Sequence, residues 1–94
     1  MKGKSWEAPD IPDPPKTLNI RLKRAAEAEK MILEWLDDLS RSDIGKATII
    51  HGKSGGVLKR ISRKILEKDK RVSKIKNYDE KGNASLGAVS FKIK

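Results

Sequence analysis

The chain is predicted to fold as an α/β two-layer sandwich of order β-α-β-α-β-β, a mixed four-stranded sheet with two helices on one face. Three observations predict it. The hydrophobic period changes from two to about 3.6 and back along residues 17–94. A continuous β-branched run, Ala47-Thr48-Ile49-Ile50, meets the glycine-rich segment His51-Gly52-Lys53-Ser54-Gly55-Gly56, and a helical stripe begins beyond it. The last residues, 88–93, alternate apolar and polar.

Residues 1–16 read as a linker, because Pro9, Pro12, Pro14 and Pro15 preclude a regular helix or central strand. Its aromatic, Trp6, is read as incidental. The domain proper is residues 17–94. Residues 17–21 make a first strand, with Leu18 and Ile20 on one face and Asn19 and Arg21 on the other. Ala25, Ala28, Met31, Ile32, Trp35, Leu36 and Leu39 then recur at threes and fours, which predicts a first helix with one apolar stripe. Its other face is mostly acidic, with Glu27, Glu29, Glu34, Asp37 and Asp38, and is a poor surface for a polyanion. Gly45 is the predicted terminator.

The β-branched run is the expected central strand. After the glycines, Val57, Leu58, Ile61, Ile65 and Leu66 form the stripe of a second helix, with Lys59, Arg60, Arg63 and Lys64 opposite. Asp69 and Lys70 end it. Residues 72–78 are a third strand with Ile75 its clearest inward residue, and residues 79–87 a flexible connection. In the last strand Val89, Phe91 and Ile93 point inward, Ser90 and Lys92 outward.

Composition narrows the chemistry. The chain has no cysteine, which excludes disulfides, thiolate zinc sites and a cysteine nucleophile. No apolar run approaches a membrane span and no signal-peptide pattern is present, so a cytoplasmic protein with no membrane partner is expected. The net charge is +9. Residues 1–52 are neutral, whereas residues 53–76 carry ten bases against Glu67 and Asp69. The excess charge therefore follows the glycine turn, and a polyanion is the expected partner, nucleic acid ahead of an acidic membrane.

The turn itself suits a phosphate. Glycines allow close backbone approach, and a helix start offers free N–H groups with the positive end of its dipole. Gly52, Lys53, Ser54, Gly55 and Gly56 are the candidate phosphate-binding residues. The segment lacks the spacing and terminal G-K-S/T of a P-loop. Lys59, Arg60, Arg63 and Lys64 are the candidate nucleic-acid-binding residues, reading backbone rather than bases. Outside Trp6 and Trp35 only Tyr78 and Phe91 are aromatic, so base stacking is not the main expected mode.

Ile49-Ile50-His51-Gly52-Lys53-Ser54-Gly55-Gly56-Val57-Leu58 resembles the I-I-H-G-x-G-x-G-x-L signature of the Smr (small MutS-related) domain family. Residues 17–28 fit that family's upstream L-D-x-R segment and first helix, and Gly87-Ala88-Val89-Ser90-Phe91 fits its closing strand. The resemblance implies the two-layer fold above, binding to DNA or RNA, and in several members endonuclease activity. It also implies a place in a larger MutS-like chain that suppresses recombination or acts on stalled ribosomes. Three positions depart from the pattern: Asn19 stands at the family aspartate, Leu22 at the glycine after the arginine, and Ser54 at the middle glycine of the turn.

Phosphodiester cleavage needs an activated nucleophile, stabilisation of phosphoryl charge and a proton for the leaving oxygen. Arg21, Lys53 and the turn amides would supply the charge stabilisation. His51 is the one side chain with an ordinary pKa near neutrality, about 6.5, and is either the acid or base or the residue that holds the turn. Asn19 is the third candidate at the catalytic position, but an amide is neither a base nor an anionic metal ligand. No metal site and no cofactor are evident, a divalent metal having no convincing ligands. Two function classes follow: a nuclease module nicking branched DNA or structured RNA, and a non-catalytic module docking a MutS-like machine on nucleic acid or a ribosome. A third, weaker reading is a protein-interaction domain using the acidic first helix.

Overall fold

The computed structural model describes residues 13–53 and 56–94. The observed order is β1 (Thr17–Asn19), α1 (Ala25–Ser40), β2 (Lys46–Ile50), α2 (Val57–Lys68), β3 (Val72–Lys76) and β4 (Ala88–Ile93). The four strands form one mixed sheet in the order β1-β2-β4-β3, and both helices cover one face. β1 runs parallel to β2, with Asn19 level with Ile50. β4 runs antiparallel to both β2 and β3. This is the predicted sandwich.

The core forms where the two apolar stripes meet the alternating strands. Ala28, Ile32, Trp35, Leu36 and Leu39 of α1 pack with Leu66 of α2, Ile49 of β2 and Val89 and Phe91 of β4. The Trp35 and Phe91 rings meet edge to face, with centroids 5.7 Å apart. Trp35 also donates its indole N–H to the Pro15 carbonyl at 2.7 Å. The last residues of the proline-rich lead-in are therefore anchored to the domain, whereas Trp6 and most of that segment lie outside the described residues.

Several local expectations are corrected. β1 stops at Asn19, because Ile20–Lys23 is a tight turn closed by the Lys23 amide on the Ile20 carbonyl. Arg21 therefore sits in the turn rather than on a sheet face. α1 ends five residues before Gly45, closed by the amides of Arg41 and Ser42 on the last-turn carbonyls and by the Ser42 hydroxyl on Leu39. Val57, the first residue of α2, is half exposed, although Leu58 beside it packs against the core, while Ser62, unremarked in the sequence, is fully buried and donates to the Leu58 carbonyl. In β3 Val72 is buried, while Ile75 packs half-buried against the core as expected.

The far face of the sheet holds the largest correction. Ser90 points away from the helices as expected, yet it is buried, because residues 77–85 fold over it. Its hydroxyl donates to the Tyr78 carbonyl at 2.9 Å and lies 2.7 Å from the Thr48 hydroxyl. The covering segment is knit together rather than loose. Asp79 Oδ1 accepts from the amides of Lys81 and Asn83, and the Ser85 amide donates to the Asn77 carbonyl.

Candidate functional site

The site is assembled at the carboxyl ends of the parallel pair β1 and β2, where open α/β sheets commonly bind ligands. The Ile20 amide donates to the Ile50 carbonyl at 2.9 Å, so the turn after β1 lies beside the turn after β2. Gly52 has φ +90°, a conformation that favours glycine, and its Cα faces the Arg21 side chain, whose Cγ lies 3.5 Å from where a Cβ would stand. Arg21, Gly52, Lys53, Ser85 and Gly87 line a cleft of about 400 Å³, with Asp79 and Glu80 on the same wall as the covering loop.

Gly87 closes this cleft from below. Its carbonyl accepts both the His51 amide at 2.9 Å and the Gly52 amide at 3.0 Å. A Cβ at Gly87 would stand 3.2 Å from Lys53 Cγ and 3.4 Å from two backbone atoms of the glycine turn. Close backbone approach explains why glycine is needed there. Sequence inspection placed Gly87 in the closing strand but gave no sign of this role, because its partners lie more than thirty residues away.

His51 is buried, and its Nδ1 lies 2.9 Å from the Gly52 carbonyl. A carbonyl only accepts, so Nδ1 carries the proton and Nε2 the lone pair. Burial, with Lys59 nearby, holds the imidazole pKa below its ordinary value, the bond to Gly52 opposing them in part. At neutral pH the ring is neutral. It ties the strand end to the turn, and it does not line the cleft formed by the described residues.

Asn19 is exposed, and its Oδ1 accepts the Arg21 amide at 2.9 Å. The side chain thus fixes the turn that carries Arg21, a task an aspartate would do equally well. At Leu22 the turn has φ +68°, and the leucine side chain is 97% exposed. The third residue of such a turn favours glycine, so Leu22 carries left-handed strain of about 1–2 kcal/mol with nothing buried in return. Leu22→Gly is expected to raise stability by about 0.5–1 kcal/mol in urea denaturation, the strain relieved outweighing the extra unfolded-state freedom of glycine.

The basic residues of α2 divide. Lys59 lies near His51, whereas Arg60, Arg63 and Lys64 flank a groove of about 450 Å³ on the outer side. Arg63 is half-buried and engaged, with Nε 3.3 Å from Glu67 and Nη1 3.2 Å from Asn77 Oδ1. Arg60 and Lys64 are exposed and make no ion pair among the described residues. Gly56 caps α2 without a side-chain bond, and the first turn holds no acidic residue. Ser54 and Gly55, both candidate phosphate ligands, lie outside the described residues. Among the described residues no group of three or more His, Asp or Glu side chains could hold a metal ion. No helix among them is long and apolar enough to cross a membrane.

Residues 18–92 match the sequence profile of the family described as Smr domain. The protein named endonuclease MutS2 from Thermotoga petrophila is 35% identical over 77 residues, which are 81% of this chain and 10% of that protein. Its namesake from Finegoldia magna is 37% identical over 79 residues, 82% of this chain and 10% of that protein. The chain thus spans about a tenth of the length of these relatives. The crystal structure of the Smr domain of Thermus thermophilus MutS2 superimposes with a TM-score of 0.75 at 24% identity, covering 85% of this chain and 99% of that one.

Proposed function

This chain belongs to the Smr domain family, and from that membership we propose that it is the nucleic-acid-binding Smr domain of a larger, cytoplasmic MutS-like protein and nicks DNA or RNA in a structure-dependent way. The observation that supports this reading best is the cleft in which Arg21, Gly52 and Lys53 converge at the carboxyl ends of β1 and β2. A phosphodiester seated there meets the Arg21 and Lys53 cations, which stabilise charge on phosphoryl oxygens, with Asp79 and Glu80 bordering the same cleft. Lys59, Arg60 and Lys64 extend the positive surface along the backbone of the same strand. In cleavage the attacking oxygen loses a proton and the leaving oxygen gains one. His51 holds the turn in shape through Nδ1; its Nε2 is the free nitrogen, in a ring that is buried and outside the cleft lining.

A second reading, a module that docks a MutS-like machine on nucleic acid or a ribosome without cutting, is favoured by Asn19, whose amide cannot serve as a base. One set of assays separates the two. The purified domain and its Asn19→Asp variant are incubated with supercoiled plasmid and with a structured RNA, and nicked products are resolved on gels. Cleavage by the natural sequence supports the nuclease; cleavage by Asn19→Asp alone supports the docking module. Binding is followed in parallel with the triple change Lys59→Ala, Arg60→Ala and Lys64→Ala. It is expected to weaken binding and to flatten the slope of log K against log salt by about 2–3. Unchanged affinity and slope would remove nucleic acid as the ligand of α2.

A further inference from the structure

The sheet face turned away from the helices carries a second positive cluster, remote from the glycine turn. Lys46 of β2 and Lys92 of β4 stand directly opposite each other in register. Like charges in that position repel and destabilise a sheet. Lys74 and Lys76 join them from β3, and these four lysines with Tyr78 and Ser90 surround a cavity of about 200 Å³. Lys74 has φ +54° within the irregularity that separates Ser73 from Lys76 in the β3–β4 ladder. A bulge of this kind re-aims a side chain at local cost. All four lysines are exposed and none makes an ion pair among the described residues. Asp13, Asp43 and Glu80 line an adjoining, larger cavity that Lys46 and Lys92 also border, and Asp79 follows Tyr78 directly.

A face that gathers repelling charges, one of them on a strained backbone, is matched to an anion. The spread of the lysines over three strands suits a chain of phosphates better than a single one. Tyr78 adds what α2 lacks: a ring 40% exposed at the margin of the cluster. Lysines tracking a backbone beside an aromatic side chain are the elements of single-strand binding. The two positive surfaces also meet. Arg63 of α2 reaches Asn77, the residue before Tyr78, around the edge strand β3.

We infer that this sheet face is a second nucleic-acid site, taking a single-stranded stretch that adjoins the duplex held by α2, with an unpaired base against Tyr78. The inference rests on the nucleic-acid reading above and adds the form of the substrate: a duplex with an overhang or fork.

Fluorescence polarisation tests it on three labelled DNAs: a blunt duplex, the same duplex with a single-stranded overhang, and the overhang alone. The natural domain is expected to bind the overhang duplex about tenfold more tightly than the blunt one. Changing Lys46, Lys74, Lys76 and Lys92 together to Gln should abolish that advantage, leave the blunt duplex affinity unchanged, and lower the salt slope on the overhang duplex by about 3. Tyr78→Leu, which keeps every charge, should weaken the overhang duplex by about tenfold. Thermal unfolding of the Gln variant is expected at or above the natural temperature, since a repulsion is removed. If the Gln variant and Tyr78→Leu bind the overhang duplex as the natural domain does, while the α2 triple change still weakens it, the sheet site is refuted and the nucleic-acid reading stands. Failure of the natural domain to bind any of the three refutes both.

Discussion

Phe91→Ala is expected to destabilise the domain by about 3–5 kcal/mol, the range for removing a fully buried phenylalanine from a packed core. Phe91 is 1% exposed, lies on the inner strand β4, and meets Trp35 edge to face. Its removal forfeits apolar burial and the aromatic pair and leaves a void between sheet and helix. A domain of this size has a total stability of about 5–15 kcal/mol, so the variant would be close to unfolding at 37 °C. Its melting temperature should fall by roughly 15–30 °C. Equilibrium urea denaturation followed by circular dichroism measures the effect, and a loss below about 1.5 kcal/mol would contradict the packing described here.

The second large effect is expected at Gly87→Val. A Cβ at Gly87 already stands 3.2 Å from Lys53 Cγ and 3.4 Å from turn backbone, and two further methyl groups add bulk at a contact that is already tight. The glycine turn has to move, stretching the bonds from the amides of His51 and Gly52 to the Gly87 carbonyl. Each such bond contributes about 1 kcal/mol net, and the expected loss of stability is roughly 2–3 kcal/mol. Because Lys53 and Gly52 move with the turn, affinity for a duplex should fall by more than the stability change alone predicts under conditions where the variant is fully folded. Isothermal titration of the folded variant decides this. Natural affinity in Gly87→Val would separate the cleft from nucleic-acid binding.

The layered fold was legible because its signals are local and periodic. The stripe from Ala28 to Leu39 could lie against only one surface, and residues 47–50 offered that surface. The glycine turn was legible for the same reason: its residues are contiguous. Much of what escaped depends on residues distant in sequence. Alternation in β4 shows that Ser90 leaves the core but not that Tyr78 and Asp79 return to cover it. Val57 continues a helical stripe, yet it is half exposed, and contact with the core begins at Leu58. Asn19 was read as a missing base, and its bond to the Arg21 amide shows a second occupation that needs only an acceptor. Lys46 and Lys92 are forty-six residues apart by number and side by side in the sheet; a charge map drawn along the chain cannot bring them together.

The anchoring of the lead-in has a mechanical consequence. Pro15 and Lys16 are fastened by their carbonyls to Trp35 and to the Thr48 amide, so the chain reaches the domain along the β1 edge. The far-face lysines run from β2 across β4 to β3, and Lys46 and Lys92 border one cavity with Asp13 and Lys16. Entry point and far-face lysines are thus neighbours on one four-stranded sheet, so Asp13 at the entry belongs to the charge balance of that face. Pinned at two carbonyls, the chain enters the domain at a fixed point, so the direction of entry is set by the fold itself.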